Sequence, residues 1–162
     1  MPVSTILEKM INFSEGNLHD INHFLKVYAY AKTIGELEQL DEETQLILEV
    51  AAITHDIACP LCREKYGNTN GKYQEREGEP MVRDFLKDTG LNEALVERVA
   101  WLVGHHHTPD PIQGIDHQIL LEADYLVNAD ESRYAAENIV HTKETMFKTK
   151  TGISLLNSIF CI

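Results

Sequence analysis

The sequence predicts an all-α protein, and three observations carry that prediction. Apolar residues recur at three- and four-residue spacing in nearly every long segment. No segment shows the alternation of a half-buried strand. The spacing stops at breaking and capping residues: Gly16-Asn17, Asp41, Thr89-Gly90, Asn92 and Pro109-Asp110-Pro111. At 162 residues, without internal repeat or low-complexity tract, the chain suits a single domain over 1–162 with its own core.

Taken in order, Val3 to Phe13 carries Val3, Ile6, Leu7, Met10 and Ile11 at helical spacing. After the break at Gly16-Asn17 a longer helix is predicted from about Leu18 to Leu40, with His23 near its start. Asp41 caps the next helix, with Glu42 and Glu43 in its first turn. Leu46, Ile47, Val50, Ala51 and Ile53 bury that helix on much of its circumference. It reaches His55-Asp56 and is expected to stop at Cys59-Pro60. The polar stretch 59–72 reads as a long irregular loop placed to act as a lid over His55-Asp56. Helical spacing resumes near Tyr73 and runs through Glu79-Pro80 to Leu86. Asn92 caps a helix carrying Leu95, Val96, Val99, Trp101, Leu102 and Val103, which leads into Gly104-His105-His106-His107. Another is predicted over Ile115 to Val127, and shorter ones over 135–140 and 153–160.

The charge balance is acidic, 26 Asp and Glu against 14 Lys and Arg. Nucleic acid is therefore a poor partner, since phosphate-backbone binding needs a basic stripe. No apolar stretch is expected to span a bilayer, and the opening Met1-Pro2-Val3 does not read as a signal peptide. Three cysteines are too few for a disulfide scaffold and suit a reducing cytoplasm. The motif Cys59-Pro60-Leu61-Cys62 lacks the further ligands of a zinc knuckle, since Cys161 alone remains, and it lacks a βαβ context for redox work. Chance or loop packing accounts for it.

A His and an Asp side by side in an apolar run are costly to bury unless something pairs with them. A divalent metal ion does so, and His23, His55, Asp56, the pair His105-His106 and Asp124 each lie in or at the end of an apolar helix. Each of these has a plainer reading as well. His23 alone suits a helix surface, His55-Asp56 a hydrogen-bonded helix end, Asp124 a cap or ion pair, and His105-His106 a polar cleft rim. His19, His107, His117 and His141 read as exposed.

In order and context, this set resembles the HD-domain superfamily of metal-dependent phosphohydrolases, over about His23 to Asp130. The resemblance implies a compact multi-helix bundle with the metal site between its central helices. It implies that His23, His55, Asp56 and Asp124 bind one divalent ion, with Fe, Mn, Mg, Ni and Zn all candidates. Relatives with two metals carry a further His and then a His-His pair. Val103-Gly104-His105-His106 resembles that pair, and Glu79-Pro80 stands at the intermediate place, so Glu79, His105 and His106 are candidates for a second ion. The lysine that HD-GYP phosphodiesterases place after the dyad is Cys59 here, the GYP signature is absent, and so is the Glu-Asp pair of stringent-response hydrolases.

The implied activity is hydrolysis of a small phosphate ester or nucleotide-like substrate, with metal-activated water attacking phosphorus. His55, Asp56, Glu79, His105 and His106 are the expected catalytic set. Arg63, Lys65, Lys72 and Arg76, with Arg83 beyond them, are candidates to hold substrate phosphate. A small phosphorylated partner, a cytoplasmic location and a homo-oligomer are the accompanying expectations. Two alternatives are a metal- and nucleotide-binding sensor without turnover and a two-iron, oxygen-dependent relative.

Overall fold

A computed structural model describes residues 2–162. Among the described residues there are nine helices and no strand: α1 Val3–Phe13, α2 Leu18–Leu37, α3 Glu42–Thr54, α4 Cys59–Tyr66, α5 Gly71–Leu86, α6 Glu93–Val103, α7 Ile115–Glu131, α8 Ala136–Thr145 and α9 Lys150–Phe160. The protein is all-α, as its periodicity predicts. The caps read from sequence form as well. Asp41 accepts from the Thr44 N–H at 2.8 Å and Asn92 from the Leu95 N–H at 2.8 Å, each satisfying a donor that the helix start leaves free.

Helix α3 is the hub of the bundle, packed by α1, α2, α6 and α7. Its residues from Ile47 to Thr54 are all buried, so no polar face is left for water. Phe24, Ile53, Leu102 and Leu120 interlock around it with almost no exposure. Each such side chain contributes about 1.5–3 kcal/mol by leaving water. Against the expectation of none, Glu42–Tyr66 is long and apolar enough by composition to cross a bilayer, with a mean hydropathy of 1.3. It is a core segment here, since 72% of its most apolar window is buried within the bundle.

The stretch 59–72 is not the irregular lid expected of it. It folds as α4, a short link and the start of α5. Pro60 sits in the first turn of α4, where a missing N–H costs nothing. Gly67 ends α4 in the left-handed region at φ 72°. The rings of Tyr66 and Tyr73 then stack across the link, with centroids 4.0 Å apart. Cys59 and Cys62, three residues apart, are both buried side chains of this helix, and packing is their evident role. Burial pushes the Cys59 thiol far above its ordinary value, with Asp56 adding to the effect, so it stays protonated.

The C-terminal helix is tied to the bundle through the buried carboxylate of Glu122 and through Glu38, which accepts from Thr151. Glu122 on α7 accepts from Gln118 Nε2 at 2.6 Å, from the backbone N–H groups of Lys148 and Thr149 at 2.9 and 3.0 Å, and from the Thr149 hydroxyl. Gly152 on α9 lies so close that a Cβ there would stand 1.9 Å from Glu122 Oε1. The carboxylate is held by its four donors and cannot swing aside. Gly152→Ala is therefore expected to lower the unfolding free energy by about 1–3 kcal/mol, as overpacking does. Urea titration of the two proteins checks this, and equal midpoints would overturn the close-approach account.

Candidate metal centre

Helix α3 ends where the site begins. After Thr54 the chain tightens into i→i+3 turns, with Ile57 N–H on the Thr54 carbonyl at 3.0 Å and Cys59 N–H on the Asp56 carbonyl at 2.9 Å. This turn lets the neighbours His55 and Asp56 both face α2 and α7. His23 arrives from α2 and Asp124 from α7. His23 Nε2 lies 3.2 Å from His55 Nε2, 3.1 Å from Asp56 Oδ2 and 3.2 Å from Asp124 Oδ1. His55 Nε2 lies 3.4 Å from Asp56 Oδ2 and 3.3 Å from Asp124 Oδ1. Thus the structure brings His23, His55, Asp56 and Asp124 to one point, buried except for the more open Asp56.

The tautomers decide what the point is for. His23 Nδ1 lies 2.6 Å from Glu131 Oε1, and His55 Nδ1 lies 2.7 Å from the Ala52 carbonyl. Both partners are acceptors, so each Nδ1 carries the proton and donates. In the neutral rings both Nε2 atoms then present lone pairs, and they face each other and two carboxylate oxygens. Acceptors converging on acceptors repel unless a cation or protons sit among them. Donors sharing an ion at about 2.1 Å stand about 3.0–3.4 Å apart in octahedral to tetrahedral arrangements, and the observed separations match. The donor set and its outer hydrogen bonds therefore fit a divalent ion.

The electrostatics point the same way. Burial by itself lowers the His23 imidazolium, but hydrogen bonds and charge from Asp124 and Asp56 overcome it and push its pKa up to about 11. His55, also disfavoured by burial, is pushed up to about 10 by the same two carboxylates. Burial would raise the carboxyls of Asp56 and Asp124, yet the His55 charge and the neighbouring imidazoles hold both well below the usual range. The cluster is a well for positive charge.

A second donor group adjoins the first, and its membership differs from the expectation. It comprises Asp56, His106 and His107. His106 Nε2 lies 3.4 Å from Asp56 Oδ1, while Gln74 Oε1 lies 3.1 Å from His106 Nε2 and 2.9 Å from His107 Nε2. Glu79 and His105 are elsewhere. Glu79 accepts from Arg83 Nη2 at 2.7 Å, on the far side of α5 from Gln74, because five residues of helix advance by about 140° beyond a full turn. His105 stacks on Trp101, with centroids 4.0 Å apart, and donates through Nδ1 to the Trp101 carbonyl. His117, expected at the surface, is fully buried; its Nδ1 accepts from the Gln113 N–H and its Nε2 donates to the His105 carbonyl.

The proposed phosphate cations are mostly committed elsewhere. Arg63 borders the cleft over the centre but makes a bidentate pair with Asp20 at 2.8 and 2.7 Å. Lys65 pairs with Glu77, Arg76 donates to the Tyr66 hydroxyl, Lys72 lies over the Tyr73 ring, and Arg83 bridges Glu79 and Glu97. Reading from sequence missed Gln74, His107, Asn128 and Glu131. The last two were open to view, since Asp124, Asn128 and Glu131 recur at four and three residues and form a polar stripe along a buried helix.

Fold and site together define a helical domain whose core helices present a histidine–carboxylate donor cluster. The HD domain family profile matches residues 20–135, and the chain belongs to that family. Its fold is similar to that of a predicted HD superfamily hydrolase from an uncultured Thermotogales bacterium, known from a crystal structure. The two chains are 23% identical, the match covers 98% of this chain and 84% of that one, and the TM-score is 0.70. No curated protein matches the sequence.

Two outcomes follow for metal binding. Glu131→Gln removes the charged acceptor that orients His23 and is expected to weaken Mn²⁺ or Zn²⁺ binding by about 10- to 100-fold, read by calorimetric titration. Ion entry must also displace the protons that Asp56 and Asp124 hold on His23 and His55 up to about pH 11 and 10. Apparent affinity should therefore rise with pH across about pH 6–9, with proton release measurable from the buffer dependence of the heat. A flat profile would contradict the assigned ligands.

Proposed function

We propose that this chain is a metal-dependent phosphohydrolase acting on small phosphate esters or nucleotides. The observation that supports it best is the convergence of the His23, His55, Asp56 and Asp124 donor atoms, joined edge to edge with the Asp56, His106 and His107 group. When bound, a divalent ion supplies an acidified water and offsets negative charge on phosphoryl oxygens.

The chain's own residues do the rest of the work. Asp56 serves both donor groups, one through Oδ2 and the other through Oδ1. Glu131, the Ala52 carbonyl and the Val103 carbonyl fix the orientation of the His23, His55 and His106 rings through their Nδ1 atoms, and Gln74 Oε1 bridges the Nε2 atoms of His106 and His107. Glu75 in turn accepts from the His107 N–H at 3.0 Å and the Thr108 hydroxyl at 2.8 Å, holding that turn of chain over the cleft. His107 borders the opening as a neutral ring, since burial and the neighbouring His106 push its pKa down to about 4, and so suits a donor to an ion rather than a source of protons.

Metal analysis of the purified protein, combined with a panel of phosphomonoesters and nucleotides, tests the proposal. Stoichiometric metal and metal-dependent phosphate release are expected. His55→Ala and Asp56→Ala should each lower that release by more than about 100-fold, beyond what the outer partners of metal ligands contribute. Bound metal and bound nucleotide without any product would favour a sensor and sink the hydrolase reading.

A further inference from the structure

The centre opens on two clefts rather than one. Each is about 210 Å³, and the residues His107, Asp124 and Asn128 belong to both. Their chemistry is opposite. One is lined by Asp20, Asp56, Asp124 and Glu131, and its single arginine, Arg63, is already paired by Asp20. Phosphates beyond the one at the ion find no free lysine or arginine there. The other is walled by Leu121, Tyr125, Tyr134 and Met146, and no lysine or arginine lines it. A polyphosphate chain therefore fits neither side.

We propose that the apolar cleft receives the nucleobase of a nucleoside monophosphate whose phosphoryl group sits at the seam beside Asp124 and His107. This rests on the phosphohydrolase reading and narrows it to substrates with one phosphoryl group and a flat aromatic part. The Tyr125 and Tyr134 rings stand 5.7 Å apart, tilted by 46°, so they offer an aromatic corner rather than a closed stack. Tyr125 is pinned, its hydroxyl donating to Asn138 and its ring meeting the edge of Phe147 at 5.7 Å. Tyr134 is brought back over α7 by Arg133, whose φ of 51° reverses the chain, and by its own N–H on the Ala129 carbonyl at 3.0 Å. Met146 adds a polarizable wall that adapts to different flat groups. Asn128, at the seam, is the polar group within reach of a ribose hydroxyl or base edge. Apolar walls with a few polar groups at one end are the usual composition of a small-molecule pocket.

The test compares adenosine 5′-monophosphate with ribose 5-phosphate, which share the primary ester and differ by the base. The Mn²⁺-loaded protein should favour the nucleotide in kcat/KM by about 10- to 100-fold, the range that stacking of a base on aromatic side chains supplies. Adenosine triphosphate should be the poorer substrate of the two nucleotides. Tyr134→Ala, at a 38% exposed position where folding is not at stake, should reduce the nucleotide-to-sugar ratio by about tenfold, and Tyr134→Phe should preserve it. Equal use of both esters, or a ratio indifferent to Tyr134→Ala, overturns the pocket assignment and leaves the hydrolase reading standing. Where neither ester is turned over, the two are compared by binding instead. Equilibrium binding of the same two probes then decides the pocket: tighter nucleotide binding that Tyr134→Ala weakens upholds it, and equal affinities refute it.

Discussion

Four acceptors aimed at one another, three of them buried and the fourth on the partly open Asp56, are the constraint on which this structure turns. His23 Nε2, His55 Nε2, Asp56 Oδ2 and Asp124 Oδ1 stand within 3.4 Å of their neighbours in a region that excludes most water. Left to themselves they repel, and burying them costs free energy that the apolar core has to offset. The fold meets that cost with geometry. Three helices fix the backbone of the donors, Glu131 and the Ala52 carbonyl fix the rings, and positive charge is drawn to the middle. A bound cation is what such an arrangement of donors fits.

Helix α7 links this centre to everything around it. Its buried face packs against α2 and α3, and its Asp124, Asn128 and Glu131 stripe supplies a donor, a seam residue and a ring anchor. Leu121 and Tyr125, on either side of Asp124, wall the apolar cleft. Glu122 points the other way and clamps the chain leading to α9. One helix thus presents charge, aromatic surface and a structural anchor in directions set by its 3.6-residue period.

Much of this was legible in the amino-acid order. The helical spacing, the Asp41 and Asn92 caps and the ordered set His23, His55-Asp56, Asp124 sufficed to foresee an all-α fold with a central donor cluster. What failed did so for local reasons. Pro60 suggested a break, yet in a first turn proline starts a helix, so α4 went unseen. Within Gly104–His107 the chain leaves α6, and only the placement of each ring shows that His106 and His107 face Asp56 while His105 stacks on Trp101. Glu79 was chosen by its position in the order of motifs, but the turn of α5 gives the inner face to Gln74. Cations were counted as free when each had an aromatic or acidic neighbour that sequence distance conceals.

The separation of the donors along the chain bears on how the protein folds. The His23–Asp124 contact joins residues 101 positions apart, and His23–Glu131 joins residues 108 apart. Such contacts reward the chain only after most of the loop-closure entropy has been spent. The ion-binding state is thus a property of the completed bundle rather than of any hairpin within it. Bound metal then raises the free-energy gap to the globally unfolded chain by mass action, and does little for partly folded fragments that hold α2 and α3 without α7. A chain that misplaces α7 would bring together three of the four donors and lose Asp124 from the cluster.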